Sequence, residues 1–278
     1  MKKAAVSREL KTIGVVGAGR MCTPIIGHLA RKGFATWACD LNAARGEAVK
    51  KLGARWAASP ESLAADCDAI LVCVGFGREV QELLAEGGPL RKARPGTIVA
   101  ILSTIHPKTV QKLAKECGSA DLHVVDSTVC RGGEAADKGT LLSFVGGSTE
   151  VVERLTSVLR AYSSDVVHTG GVGTAQVAKA VNNLILWACL VADHEGLALA
   201  RHYGADVEAL RRALLISSCA NGPLEKWGSQ TMAWAEDDMA IVAEMAAEAG
   251  IALPQAGVNR EICRALKPRR YKLDLYGR

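Results

Sequence analysis

The stretch Thr12-Ile-Gly-Val-Val-Gly-Ala-Gly-Arg-Met-Cys22, followed by an amphipathic run to Lys32-Gly33, decides the class of this chain. Its apolar residues Ile13, Val15 and Val16 predict a short buried strand that runs directly into Gly17 and Gly19. Ile25, Ile26, Leu29 and Ala30 then recur at helical spacing. A glycine turn between a buried strand and a helix start lets the backbone approach a pyrophosphate. The exposed N–H groups and the helix dipole there favour its negative charge. A second apolar segment, Ala35 to Cys39, ends on Asp40, placed to accept hydrogen bonds from an adenosine ribose. Cys22 stands where the third glycine of this fingerprint belongs. A lone GxG means little, but strand, glycines, helix and distal acid together predict a dinucleotide site.

The 278 residues suffice for one large domain or two ordinary ones, and 49% hydrophobic content suits a well-buried protein. No segment is expected to reach the apolar length of a membrane span. Met1-Lys-Lys is followed by Ser7, Arg8, Glu9 and Lys11, so no secretory leader is expected. Nine cysteines show no CxxC pair and no metal-finger spacing, which points to reduced thiols in the cytoplasm and to no metal site. Much of the net charge of +5 falls in the tail Lys267-Pro-Arg-Arg-Tyr-Lys, and aromatics are few (4%). The charge therefore reads as a mild field for anionic substrates and cofactor, with no nucleic-acid partner.

From residue 12 to about 168, short apolar runs alternate with amphipathic ones. Strands are predicted at 12–17, 35–39, 69–74, 97–102, 122–126, 141–146 and 165–168. Helical patterns between them include Asn42–Leu52, Arg78–Leu84, Pro107–Cys117 and Thr149–Ala161. This rhythm predicts a mostly parallel, doubly wound α/β sheet in a Rossmann-like domain over 1–172. Past Gly170-Gly-Val-Gly173 everything reads as helix, giving an all-α domain over 173–278. Thr174 to about Tyr203 predicts one helix of roughly 45 Å that joins the two. Further helices are expected over about 206–214, 236–249 and 255–266.

Two constellations could carry chemistry. On the long helix, Lys179 and Asn183 lie one turn apart, flanked by Gln176 and Asn182, on a face that continues with Leu186 and Leu190. A lysine there is either a solvated surface residue or a proton donor and acceptor. The second is Asp126-Ser-Thr-Val-Cys-Arg-Gly-Gly-Glu134, at the carboxyl edge of the sheet where open α/β sheets bind ligands. Thr128, Cys130, Arg131 and Gly132 there are either a carboxylate-binding loop or only a turn.

Taken in order along nearly the whole chain, these motifs resemble the β-hydroxyacid dehydrogenase family, which includes 3-hydroxyisobutyrate dehydrogenase and tartronate semialdehyde reductase. The family's GxGxMG loop is similar to Gly17-Ala-Gly19-Arg-Met21-Cys22. Its D-x-S-T-x-x-P segment is similar to Ile101-Leu-Ser103-Thr104-Ile-His-Pro107. Its D-A-P-V-S-G-G loop, with G-T-L downstream, is similar to Asp126 through Gly132 and to Gly139-Thr140-Leu141. Its G-x-x-x-K-x-x-N-N motif matches Ala175–Asn183, with the glycine displaced to Gly173. The resemblance implies Lys179 as general acid/base and Asn183 as the residue orienting the substrate. It implies a cofactor site of Gly17, Gly19, Arg20, Met21, Asp40, Val74, Ser103 and Thr104, with Ser103 and Thr104 near the nicotinamide. Thr128, Cys130, Arg131 and Gly132 would meet the substrate carboxylate. The implied activity is hydride transfer between a nicotinamide cofactor and a small β-hydroxy acid, its semialdehyde or its keto acid. A homodimer or homotetramer through the helical domain is also implied.

Asp40 favours NAD, while Arg45 nearby leaves NADP open. Departures from the pattern concern the substrate more than the reaction. Cys130 replaces a serine, Arg131 a glycine, and Asp237 a lysine. Arg131 is expected to grip an anionic group of the substrate; the other reading pairs it with Glu134 or Asp137. Three rival functions would each leave a different mark. A 6-phosphogluconate-type enzyme would carry glutamate where Leu186 stands. An imine reductase usually replaces the lysine. A non-catalytic NAD-binding sensor or scaffold would not need Lys179 and Asn183.

Overall fold

The computed structural model describes residues 9–228 and 232–266. The basic tail from Lys267 and the segment Met1–Arg8 lie outside them. The chain divides into two compact units, the first ending at Lys179 and the second beginning at Ala180. The division thus falls inside the long helix, not at its start.

The first unit begins with β1 (Thr12–Val16), α1 (Cys22–Arg31) and β2 (Ala35–Cys39). A 3-10 turn at Ala43–Arg45 and α2 (Gly46–Lys51) replace the single helix expected over 42–52. Then come β3 (Arg55–Trp56), α3 (Pro60–Asp66), β4 (Ala69–Val72), α4 (Gly77–Leu84), β5 (Ile98–Ile101), α5 (Pro107–Cys117) and β6 (His123–Asp126). The rest of the sheet is β7 (Val129–Cys130), β8 (Leu141–Gly146) and β9 (Ser163–Gly170), with α6 (Gly132–Lys138) and α7 (Thr149–Leu159) between them. The sheet order is β3-β2-β1-β4-β5-β6-β8-β7, and β9 pairs with β8. Pairing is parallel except where β8 meets β6 and β7.

Alternation along each central strand divides it between two cores. Ile13, Val15, Leu71, Ile98 and Ala100 pack on one face; Val16, Ile70, Val72, Val99 and Ile101 pack on the other. Strands buried on both faces read as continuous apolar runs, which is why the sequence displayed them. The two-residue strands β3 and β7 are too short to show any alternation. Helix α3 did carry a start mark: Pro60 stands at its first turn, and Ser59 Oγ accepts the Ser62 amide.

From β1 the chain moves outward to β2 and β3 and then crosses back to β4, so the order reverses between β1 and β4. Such a reversal opens a crevice at the carboxyl ends of the strands, where ligands bind in open sheets.

The long helix α8 (Thr174–His202) begins in the first unit and runs into the second, which continues with α9 (Val207–Leu214), α10 (Gly222–Glu225), α11 (Ala235–Ala249) and α12 (Pro254–Leu266). Trp187, Leu190 and Val191 of α8 pack with Met239 and Val242 of α11 and Cys263 of α12. Trp187 Nε1 donates to Asp238 Oδ2 at 3.0 Å. One expectation needs correction. The 29-residue α8 is long and apolar enough to cross a membrane by length and composition, a test that the core helix of a soluble protein also passes.

Candidate active site

The backbone after β1 is built for a close approach. Gly17 has φ 100°, and a Cβ there would strike the carbonyl oxygen of Cys73, so only glycine fits. Its amide donates to Cys39 O at 2.9 Å, tying the loop to the end of β2. Beyond it, a Cβ on Gly19 would meet nothing closer than Arg45 Nη1, at 3.8 Å. The loop therefore presents bare backbone at the start of α1, a cradle that suits a pyrophosphate.

Asp40 closes one side of this cradle. Its Oδ2 accepts the Ala18 amide at 2.7 Å and its Oδ1 the Asn42 amide at 2.8 Å. Arg45 Nη1 lies 2.6 Å from Oδ2. Burial pushes the carboxyl up, but the two amides and the guanidinium outweigh it and hold Asp40 below the usual carboxylate range. A fixed carboxylate at the end of β2 suits a ribose diol.

Cys22, in place of the third glycine, is buried at the start of α1. Its thiol and that of Cys73 are hydrogen-bonded; that bond and burial push Cys22 well up. Met21 is half-buried against the same core, whereas Arg20 is exposed. The Arg20 guanidinium meets Asp137 through both nitrogens, at 2.8 and 2.6 Å, across the loop.

At the ends of β4 and β5, Ser103 Oγ accepts the Val74 amide and donates to the Val74 carbonyl, both at 2.9 Å. Thr104, half-buried, follows. Gln176 of α8 joins this turn: its Oε1 accepts the Ile105 amide at 3.0 Å, and its Nε2 donates to Ser103 O at 2.8 Å. The sequence marks Gln176 only as a residue flanking Lys179 and Asn183; its one sign of a role is a polar side chain on the buried face of the helix start.

The Asp126 loop closes the other side. Fully buried Asp126 accepts the Gly173 amide at Oδ1, 2.7 Å, and the Gln176 amide at Oδ2, 2.9 Å. It caps the helix that carries Lys179. Burial raises its carboxyl above the usual value, against the pull of those amides. Thr128 is also buried and donates its hydroxyl to Ala175 O at 3.0 Å, so it secures the helix start.

Half-buried Lys179 donates from Nζ to Val129 O at 2.8 Å, with Cys130 Sγ 3.9 Å away. Its charge also helps pull down the Cys73 thiol, after the hydrogen bond from Cys22 and against burial. Lys179 is thus held at the carboxyl edge, beside the Cys130 loop. Asn183, one turn further along α8, is buried, and its Oδ1 accepts from Asn182 Nδ2 at 3.0 Å.

Arg131, the residue that leads into α6, reaches toward β9. Its Nη1 meets Asp165 Oδ2 at 2.7 Å, Ser164 Oγ at 2.8 Å and Thr140 O at 3.1 Å. Glu134 pairs with Lys138, and Asp137 with Arg20. The turn bends Arg131 to φ 83°, followed by Gly132 at φ 77°. Asp237, in the first turn of α11, is half-buried in the second unit. Among the described residues, no three His, Cys, Asp or Glu side chains gather as a metal site.

Residues 12–171 match the family described as the NAD binding domain of 6-phosphogluconate dehydrogenase. Residues 173–274 match the NAD-binding domain of NADP-dependent 3-hydroxyisobutyrate dehydrogenase. The 2-(hydroxymethyl)glutarate dehydrogenase of Eubacterium barkeri is 28% identical over 262 residues, spanning 90% of this chain and 87% of that protein. The structure of Mycobacterium tuberculosis 3-hydroxyisobutyrate dehydrogenase with L-serine superposes with a TM-score of 0.86 at 21% identity, over 94% of this chain and 95% of that one. An imine reductase from Myxococcus stipitatus, in complex with NAD+, gives 0.68 at 19% identity, covering 94% and 96% of the two chains. At such identities the two structures speak for the fold alone.

Proposed function

The chain belongs to the β-hydroxyacid dehydrogenase family, the group of 3-hydroxyisobutyrate dehydrogenase, and on that premise we propose that Lys179 is the proton-transfer group of its reaction. The protein is a nicotinamide-dependent dehydrogenase or reductase of a small hydroxy acid. The observation that carries the proposal is the seat of Lys179: its Nζ lies 2.8 Å from Val129 O, beside the loop of Cys130.

The cofactor, when bound, accepts or supplies the hydride. Gly17 and Gly19 offer backbone to its pyrophosphate, and Asp40 accepts from its ribose hydroxyls, which favours NAD. Val74, Ser103 and Thr104 line the nicotinamide side, and Arg20 and Met21 flank the phosphates. In oxidation Lys179 Nζ takes the substrate hydroxyl proton; in reduction it returns that proton to the oxygen. Cys130 and Gly132 receive the substrate carboxylate, and Asn183 orients the substrate beside Lys179. An imine reductase reading has Lys179 against it.

A second copy of the chain packs on the helical unit, a reading supported by Val181, Ile185 and Leu199, which α8 leaves exposed. The protein works in the cytoplasm, a reading supported by nine cysteines that all stand outside disulfides.

The test is absorbance at the NADH band while 3-hydroxyisobutyrate, 2-(hydroxymethyl)glutarate, L-serine and related semialdehydes are offered. Turnover that requires Lys179 supports the reading. Turnover that is indifferent to Lys179→Ala overturns it.

A further inference from the structure

We propose that Gln176 is a positioning residue that locks the Ser103–Ile105 turn to the helix carrying Lys179, and so sets the distance between the hydride-transfer and proton-transfer sides of the reaction. The proposal rests on Lys179 as the proton-transfer group and on Ser103 and Thr104 lining the nicotinamide side.

Gln176 is only 1% exposed, and both ends of its amide are engaged. Oε1 accepts the Ile105 amide at 3.0 Å and Nε2 donates to Ser103 O at 2.8 Å, so the side chain spans Thr104 from both sides. The residue is itself fixed, because its backbone amide donates to the buried Asp126 carboxylate at 2.9 Å. Lys179 follows three residues later on the same helix face. The turn is also held from behind by the two Ser103–Val74 hydrogen bonds. Val74, Ser103, Gln176 and Lys179 therefore form one connected chain from the end of β4 to the acid/base.

The amide serves the fold as well as the site, and the two roles differ in what they move. A buried polar group costs free energy unless its hydrogen bonds are made, and an apolar side chain here leaves the Ile105 amide and the Ser103 carbonyl without this partner, a loss that shows in the folded fraction. The bonds of Gln176 reach backbone groups that bracket a residue facing the cofactor. Two bonds in a dry environment fix both separation and angle, which is what near-attack geometry requires.

The experiment compares parent, Gln176→Met, Gln176→Glu and Lys179→Ala. Hydride transfer is followed in a single turnover with NAD and whichever of 3-hydroxyisobutyrate, 2-(hydroxymethyl)glutarate or L-serine the parent oxidises fastest. Amplitude reports the folded fraction, and the rate constant reports positioning. Gln176→Met keeps the volume and loses both bonds. Its rate constant is expected to fall about 10- to 100-fold, the scale of a small misplacement, with NADH affinity changed only a few-fold. Gln176→Glu keeps the length and the acceptor for Ile105, and is expected to recover part of that rate. Hydrogen exchange on the cofactor-free protein gives a second readout: the Ile105 amide exchanges faster in Gln176→Met, while β1 amides keep the parent rate. A parent-like rate constant in Gln176→Met, or a loss confined to amplitude, overturns the positioning role. If Lys179→Ala also transfers at the parent rate, the acid/base reading itself has failed. If Lys179→Ala alone is slow, only the role of Gln176 has.

Discussion

Lys179 Nζ lies 2.8 Å from the carbonyl oxygen of Val129, a residue of the short strand that leads into the Cys130 loop. A single carbonyl acceptor anchors an ammonium without neutralising it, and leaves its other protons for a substrate oxygen. Lys179→Ala is therefore expected to leave NADH affinity within a few-fold and to lower kcat by roughly 10²-fold or more. Lys179→Arg should not rescue it, since guanidinium does not release its proton at working pH. Steady-state kinetics beside a fluorescence titration of NADH checks both.

Asp40 governs the choice of cofactor. Its carboxylate is held ionised and oriented by Ala18, Asn42 and Arg45. Asp40→Ala is expected to weaken NADH binding and to narrow its advantage over NADPH, because a 2′-phosphate would no longer meet a fixed negative charge. Titrating both reduced cofactors against parent and variant decides this; tighter NADPH binding by the parent would falsify the NAD preference.

Arg131 is tied to Asp165 at 2.7 Å, in a largely exposed pair that is worth little on its own. Arg131→Gly relieves a left-handed backbone, at φ 83°, that costs a non-glycine residue about 1–3 kcal/mol. The variant is expected to be as stable as the parent or more so, with KM for the hydroxy acid little changed. A steep rise in KM on that substitution would instead place the guanidinium on the substrate.

Buried His194, whose ring lies 4.6 Å from that of Trp227, gives the protein an acid limb. Burial pulls its imidazole down from 6.5 to about 4. The unfolded chain takes up a proton near 6.5 and the folded chain only near 4. Stability therefore rises with pH across that window and is lost as pH falls through it. Urea unfolding at a series of pH values should show this slope, and His194→Gln should flatten it.

The sequence by itself determined the strands, the long helix and the glycine cradle. Ile13, Val15 and Val16 announce a strand because both of its faces are buried, and periodicity is a property of consecutive residues. Gly17 was legible because a φ of 100° against a neighbouring carbonyl admits nothing larger. Two-residue β3 and β7 were not legible, since two residues carry no period. Nor did the sequence determine which long side chains would meet. Arg131 finds Asp165 from 34 residues away, Gln176 finds Ser103 from 73, and Arg20 finds Asp137 from 117. Strand order settles such pairings, because it alone decides which loops share the carboxyl edge of the sheet. Local chemistry could propose Glu134 or Asp137 for Arg131, but only the tertiary structure, by laying β9 beside β8, supplied Asp165.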